Sequence, residues 1–343
     1  MVRNEKRVTL LDVAKEAGVS RATASLVVRG SKTISLPTQK KVEEAMSRLG
    51  YIYDRAAANL RSHRSNTVGM IINDIGNPYF ADLLEGAQQK LEEYKYNVIV
   101  GSSFNSGSRQ NNLFNMMLEN KVCGLILFPV QKTAPSRIVR LKNQGLPIVI
   151  GGREISEADF DYVGTDNFYG ISQAVKRLVN LGHKKIAFVG SANNEIPHQE
   201  RLDSFLSSLR AHGITPNMDW IKTAIPTREK SYEKTGEFFT NKLELPTGII
   251  CYNDTMAFGV MRRLWDEGYA PGEEVAVIGF DGVREGTTYH PRLTSVSQNG
   301  YLIGQESADL LHERIQGLAG PSKKVIFKPE LIIRESSEVW IKE

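Results

Sequence analysis

Apolar positions change rhythm along this chain. Up to residue 65 they recur three and four apart, and beyond it they bunch into short continuous runs. In the first part Leu10, Val13, Ala14 and Ala17 share one helical face, and Ala24, Val27 and Val28 share another. Thr9 and Asp12 have the spacing of a capping box, Gly18 permits the positive φ that stops a helix, and Ser20 is a natural N-cap for the next one. The spacing therefore predicts two short helices joined by a turn of three or four residues, a helix-turn-helix. A third helix is predicted from Ser35, with Pro37 in its first turn, Val42, Ala45, Met46 and Leu49 on its apolar face, and Gly50 as its stop. In such a motif the N-terminal residues of the second helix meet base edges in the major groove.

From Thr67 onward the pattern alternates. The runs Val68–Ile72, Val98–Gly101, Gly124–Phe128 and Ile148–Gly151 are continuously apolar and separated by helix-competent stretches, and the alternation returns with Lys185–Gly190, Gly248–Tyr252 and Val275–Phe280. Continuous apolar strands between helices predict parallel sheets covered on both faces. One sheet of that length would be unusual, so two doubly wound lobes are expected. The fold class is α/β: an all-α N-terminal domain over residues 1–50, a hinge over 51–66, and a core over 67–343.

Charge sharpens this picture. Residues 1–65 hold 13 Lys and Arg against 6 Asp and Glu, leaving 30 against 33 for the remainder. A basic block coinciding with a helix-turn-helix fits a phosphate-binding footprint on double-stranded DNA. Other classes recede. No apolar run reaches membrane-spanning length and the polar start has no signal-peptide core, so a cytoplasmic protein without a membrane partner is expected. Cys123 and Cys251 sit in apolar runs and read as free thiols. The chain carries no phosphate loop, dinucleotide fingerprint, nucleophile elbow or paired-histidine zinc motif, so neither an enzyme nor a bound cofactor or metal is expected. His183 reads as a turn or capping residue.

The sequence resembles the lactose-repressor/galactose-repressor family of bacterial transcription regulators. The matching stretches run in family order: Val8–Ser20, Arg48–Ile52, Ala57 with Leu60, Asn77–Phe80, Leu181–Ala187, Asn253–Asp254, Val277–Asp281 and Leu331–Glu335. The resemblance implies a core like a periplasmic binding protein, with chain crossings near Gly164, Leu293 and Phe327. Lobe one would then hold about 67–164 plus 295–326, and lobe two about 165–294 plus 327–343. It also implies a hinge helix that forms on operator DNA, where Leu60 wedges into a base step of the minor groove beside the small Ala57.

Arg21 is the expected base reader, since its fork pairs with guanine O6 and N7, whereas Ala22 meets at most a thymine methyl. Thr23 and Ser25 are expected on phosphates, and Leu26 replaces an arginine common in the family. Thr9, Ser20, Arg29 and Tyr51 complete the expected DNA-facing set. For the cleft between lobes, the family match implies Tyr79, Phe80, Arg201 and Asp281, with Tyr232 standing near a position where relatives carry a stacking aromatic. Asp254 reads as an N-cap and Asn253 as the pocket residue of that pair, while Arg153 and Gln298 are added from their places after strands. Arginine, carboxylate and carboxamide beside aromatic faces suit a neutral, hydroxyl-rich effector, a sugar or glycoside. A homodimer on an approximately palindromic operator is expected, without leucine heptads for a tetramer. A solute-binding protein with no DNA role and a sugar-modifying enzyme are the competing classes.

Overall fold

The computed structural model describes residues 8–28, 31, 33–51, 65–131, 133–155, 159–193, 196–240 and 245–338. The chain divides after Ser65 into two compact units.

The first unit is a three-helix cluster, α1 (Leu10–Glu16), α2 (Arg21–Val28) and α3 (Leu36–Leu49). The Thr9 side chain accepts from Asp12 N while the Asp12 carboxylate accepts from Thr9 N, so both halves of the capping box are made. Gly18, at φ 65°, turns the chain into α2, and Ser20 Oγ accepts the Thr23 amide at 3.0 Å. Val13, Ala14, Ala24, Val27, Val42 and Ala45 form its core. That core is small, so a lost cap matters: Thr9→Ala should cost this unit about 1 kcal/mol. A thermal melt of residues 1–65 by circular dichroism checks it.

The second unit contains two six-stranded sheets. In the first, β1 (Thr67–Ile72), β2 (Asn97–Ser102), β3 (Gly124–Leu127), β4 (Ile148–Gly151), β5 (Asp161–Thr165) and β11 (Lys324–Phe327) lie in the order β11-β5-β4-β3-β1-β2, all parallel. In the second, β6 (Ile186–Ser191), β7 (Ile221–Ala224), β8 (Gly248–Cys251), β9 (Ala276–Asp281), β10 (Thr294–Ser297) and β12 (Glu330–Ile332) lie in the order β12-β10-β9-β8-β6-β7, with only β12 antiparallel. Every residue of β3, β4, β6, β8 and β9 is buried, as helices on both faces require. Around the first sheet lie α4 (Pro78–Glu93), α5 (Gly107–Glu119), α6 (Pro135–Asn143) and α12 (Gly300–Ile315). The second carries α7 (Asn167–Asn180), α8 (Ile196–Ala211), α9 (Arg228–Thr235), α10 (Glu237–Thr240) and α11 (Asp254–Asp266).

The chain passes between lobes after β5, after β10 and between β11 and β12. The second crossing corrects the sequence reading, which placed it near Leu293. β10 pairs with β9 and β12, so residues 295–297 belong to lobe two and the chain leaves it between Ser297 and Gly300. Its polar strand hides the boundary. Thr294 Oγ1 donates to the Arg334 carbonyl at 2.8 Å and Ser295 Oγ to Asp254 at 2.6 Å, which lets hydroxyls occupy a core strand without orphaned groups. Cys123 and Cys251 are free thiols, the second fully buried. His183 is buried with Nδ1 3.0 Å from Thr247 Oγ1, and burial pushes its ring down to about 4, consistent with a neutral turn residue.

Candidate effector cleft and DNA-reading helix

A cleft with about 100 Å3 of enclosed space lies where the carboxyl ends of the parallel strands of both sheets face each other. Open α/β sheets bind ligands at that end because successive loops diverge there and helix N-termini point inward. Lobe one contributes Asn73, Asp74, Asn77, Tyr79 and Phe80 after β1, Asn105 after β2, Phe128 after β3 and Gly151–Arg153 from β4. Lobe two contributes Pro197 and Arg201 from α8, Pro226 after β7, Tyr252 and Asn253 after β8, and Asp281 at the end of β9. Gly164, Thr165, Asn167 and Gln298 line it beside the crossings.

Arg201 is the best-supported cation in the cleft. Only 4% exposed, it lays its guanidinium 3.6 Å from the Phe280 ring centre, donates from Nε to Asn167 Oδ1 at 2.8 Å and from an Nη to the Tyr252 carbonyl. The Asn167 amide in turn donates to Glu200 at 2.7 Å, so Glu200 meets Arg201 through Asn167 and no surface ion pair between them is needed. Ring face and two acceptors fix the plane of the guanidinium and aim its remaining donors along one direction.

Asp281 is its counterpart. The residue is buried at φ 127°, a conformation that disfavours a side chain and stores strain. Its carboxylate accepts Gln298 Nε2 at 2.6 Å and, across the cleft, Asn77 Nδ2 at 3.2 Å. Burial pushes the Asp281 carboxyl up, Arg201 draws it down, and the neighbouring Asp254 pushes it up again. Burial also raises the Tyr79 hydroxyl, with Asp281 adding to the effect.

On the lobe-one side Tyr79 and Phe80 meet edge to face at 5.2 Å, and Phe80 meets Phe128 at 5.6 Å. Gly151 makes room for this group, since a Cβ there would stand 2.4 Å from the Phe128 ring. The cleft therefore offers aromatic rings beside charged and carboxamide groups.

The structure brings Tyr79, Phe80, Arg153, Arg201, Asn253, Asp281 and Gln298 together. It leaves out Tyr232, whose hydroxyl donates to Asp266 at 3.0 Å beneath the Arg263 guanidinium, outside the cleft lining. The helical register of α9 turns Tyr232 toward α11, and Pro226 occupies the wall instead. Asn253 and Asp254 exchange the capping role expected from the sequence. Asn253 Oδ1 accepts Met256 N at 2.9 Å and is the cap of α11, while fully buried Asp254 ties down the end of β9 by accepting Val283 N at 2.8 Å and Ser295 Oγ at 2.6 Å. The reading also passed over Asn73, Asn105, Phe128, Asn167, Pro226 and Tyr252. Tyr252 and Phe128 close apolar runs, a positional signal; Asn167 opens α7, and Asn73, Asn105 and Pro226 sit in loops with none.

In the first unit Arg21 and Ala22 are exposed at the start of α2, and Ser25 and Leu26 are half-buried. Ser20 and Thr23 pair through their hydroxyl oxygens at 2.9 Å. Arg29, Ala57 and Leu60 lie outside the described residues.

Known proteins share this organisation. The family model for bacterial regulatory proteins of the lacI family matches residues 9–54, and that for a periplasmic binding protein-like domain matches residues 175–337. Catabolite control protein A of Priestia megaterium is 35% identical over 305 residues, spanning 89% of this chain and 91% of its own length. A lac repressor dimer bound to operator and the anti-inducer ONPF is similar with a TM-score of 0.83 at 25% identity, over 96% of this chain and 99% of that one. A transcriptional regulator CelR–cellobiose complex is similar with a TM-score of 0.72 at 28% identity, over 96% of this chain and 100% of that one. The chain belongs to the lacI family of bacterial regulatory proteins, and it is a DNA-binding transcriptional regulator, not an enzyme.

Proposed function

We propose that this regulator is a homodimeric repressor whose hold on an approximately palindromic operator is set by a sugar or glycoside bound between the two core lobes. The observation that carries the reading is the cleft itself. Arg201 and Asp281 stand fixed beside Asn253, and Tyr79, Phe80 and Phe128 wall the same space. Hydroxyl pairs bridge a guanidinium and a carboxylate well, and the less polar face of a pyranose stacks on aromatic rings. That CelR was solved with cellobiose supports the class of ligand.

A ligand that binds the two lobe arrangements unequally changes operator affinity by linkage, typically about 5- to 150-fold. The hinge, including Leu60 and Ala57, is the segment through which this change would reach the DNA-reading helices. A solute-binding protein with no DNA role is disfavoured by the helix-turn-helix unit.

A thermal-shift screen of mono- and disaccharides, with purine bases as controls, tests the reading. A sugar present at 100 times its Kd adds about 2.7 kcal/mol and should raise Tm by several degrees. A rise with a purine base alone would replace the sugar with a nucleobase.

Operator reading gives a separate expectation. Arg21→Ala should relax discrimination at one operator position by about 1–3 kcal/mol, while Thr23→Ala and Ser25→Ala weaken all duplexes more evenly. Binding to a set of single-base operator variants checks this.

A further inference from the structure

Two contacts reach lobe one from one short segment of lobe two, one across the cleft and one beside it. β9 ends at Asp281 and continues through Gly282 and Val283 into the 3-10 turn Arg284–Thr287. Asp281 receives Asn77 from the N-cap of α4, and three residues later Arg284 reaches the same helix. Its Nε lies 2.9 Å from Asp82 Oδ1 and its Nη2 2.6 Å from Glu85 Oε2. Asn77 belongs to the cleft lining; Arg284, Asp82 and Glu85 do not.

Asp82 and Glu85 stand i, i+3 on α4, where like charges repel and weaken a helix. Arg284 relieves this repulsion from the opposite lobe, with a planar fork that spans both carboxylates. Glu85 and Asp82 hold the guanidinium firmly charged, while burial pushes the Asp82 carboxyl up against the pull of Arg284.

The segment carrying Arg284 is also anchored in its own lobe. Gly282 N donates to Ser295 Oγ at 3.0 Å, Val283 N donates to Asp254 at 2.8 Å, and Glu285 pairs with Arg228. The backbone under Arg284 is thus pinned to lobe two, and the ion pairs survive only while the lobes stay close.

We propose that Arg284, with Asp82 and Glu85, is an interlobe latch: a positioning residue that sets the balance between closed and open cores without touching the effector. Only its consequence, a lower effector concentration for half-response, rests on the function proposed above. Closure itself does not. Because the Arg284 side chain is 70% exposed, the latch is modest and salt-sensitive, about two- to fivefold in the closed-to-open ratio.

The test uses the full chain without effector or operator. Spin labels are placed at S108C in lobe one and K230C in lobe two, both exposed positions, in a C123S background. Interlobe distance distributions are then measured at low and high salt. At low salt Arg284→Ala should raise the longer-distance population about two- to fivefold, high salt should bring the parent to the same distribution, and the charge swap R284E/D82K/E85K should restore the parent pattern. Identical distributions for the parent and Arg284→Ala at low salt would overturn the latch. So would a charge swap that stays as open as Arg284→Ala, which would mark Arg284 as a packing residue. Neither result bears on the sugar screen, so the two readings fail separately.

Discussion

Arg201→Ala is expected to remove the effector response altogether. Truncating one member of a buried, hydrogen-bonded charged contact costs about 2–5 kcal/mol of binding, and here the same change removes the donor fork proposed to face the ligand beside Asp281. The mechanism is specific. Arg201 is held flat by Phe280, by Asn167 and by the Tyr252 carbonyl, so its loss leaves two buried acceptors short of a donor as well as emptying the proposed clamp. Arg201→Lys separates these roles. It keeps a positive charge near Asp281 and loses the fork, so its affinity should fall between those of the parent and the alanine variant. Calorimetric titration with whichever sugar raises Tm reads both. A Kd for Arg201→Ala within twofold of the parent would remove Arg201 from the binding site, and operator binding without effector should change little in either variant.

The second large effect lies outside the cleft, where α4 crosses α12. Gly86 and Gly304 sit at the crossing: a Cβ on Gly86 would stand 2.0 Å from the Tyr301 carbonyl oxygen, and one on Gly304 would stand 2.1 Å from that of Leu83. Backbone meets backbone there, so no rotamer change can absorb an added carbon. The helices have to separate, loosening Leu83, Ala87, Ile303 and Ala308, all buried. Gly304→Ala should therefore cost about 1–3 kcal/mol and Gly304→Val more, as overpacking against a rigid neighbour does. The midpoint of urea unfolding should fall with the slope unchanged. Because α4 carries Asn77, Tyr79 and Phe80, effector affinity should weaken in the same variants. An unchanged midpoint for Gly304→Val would show that the two helices are not locked together at this crossing.

Much of this architecture is readable from residue patterns, for identifiable reasons. The helix-turn-helix announces itself because capping chemistry is local: Thr9 with Asp12, Gly18 and Ser20 each act within a turn of their own position. Strands β1, β3, β4, β6, β8 and β9 are legible because both faces of each are covered, which forces unbroken apolar runs. β5, β7 and β11 escape the same reading. β7 and β11 lie at or near sheet edges and mix Lys and Thr with apolar residues, and β5 opens on Asp161, whose carboxylate is consumed by Arg314 at 2.7 Å. β10 is missed as a member of lobe two because its hydroxyls are satisfied by distant partners.

The cleft follows the same logic. Asp281 and Asn253 fall at a strand end and a helix start, and Arg201 lies in the second turn of α8, each at a readable position. Tyr232 shows the limit: an aromatic at nearly the right place in the sequence is turned away by the helical register, and only packing against Asp266 and Arg263 decides that. Asn167 and Asn77 act through partners 34 and 204 residues away, a separation no local pattern encodes.

A small ligand in the core cleft is expected to change how tightly the helix-turn-helix unit holds a specific duplex. The most direct test is equilibrium binding of the full chain, at one fixed salt concentration, to a near-palindromic duplex selected from a random pool, with and without the sugar identified by thermal shift. The selected duplex should bind about 10³-fold or more tighter than random sequence, and the sugar should move this affinity by about 5- to 150-fold. Equal affinity for selected and random duplexes, unmoved by any sugar that raises Tm, would contradict both expectations.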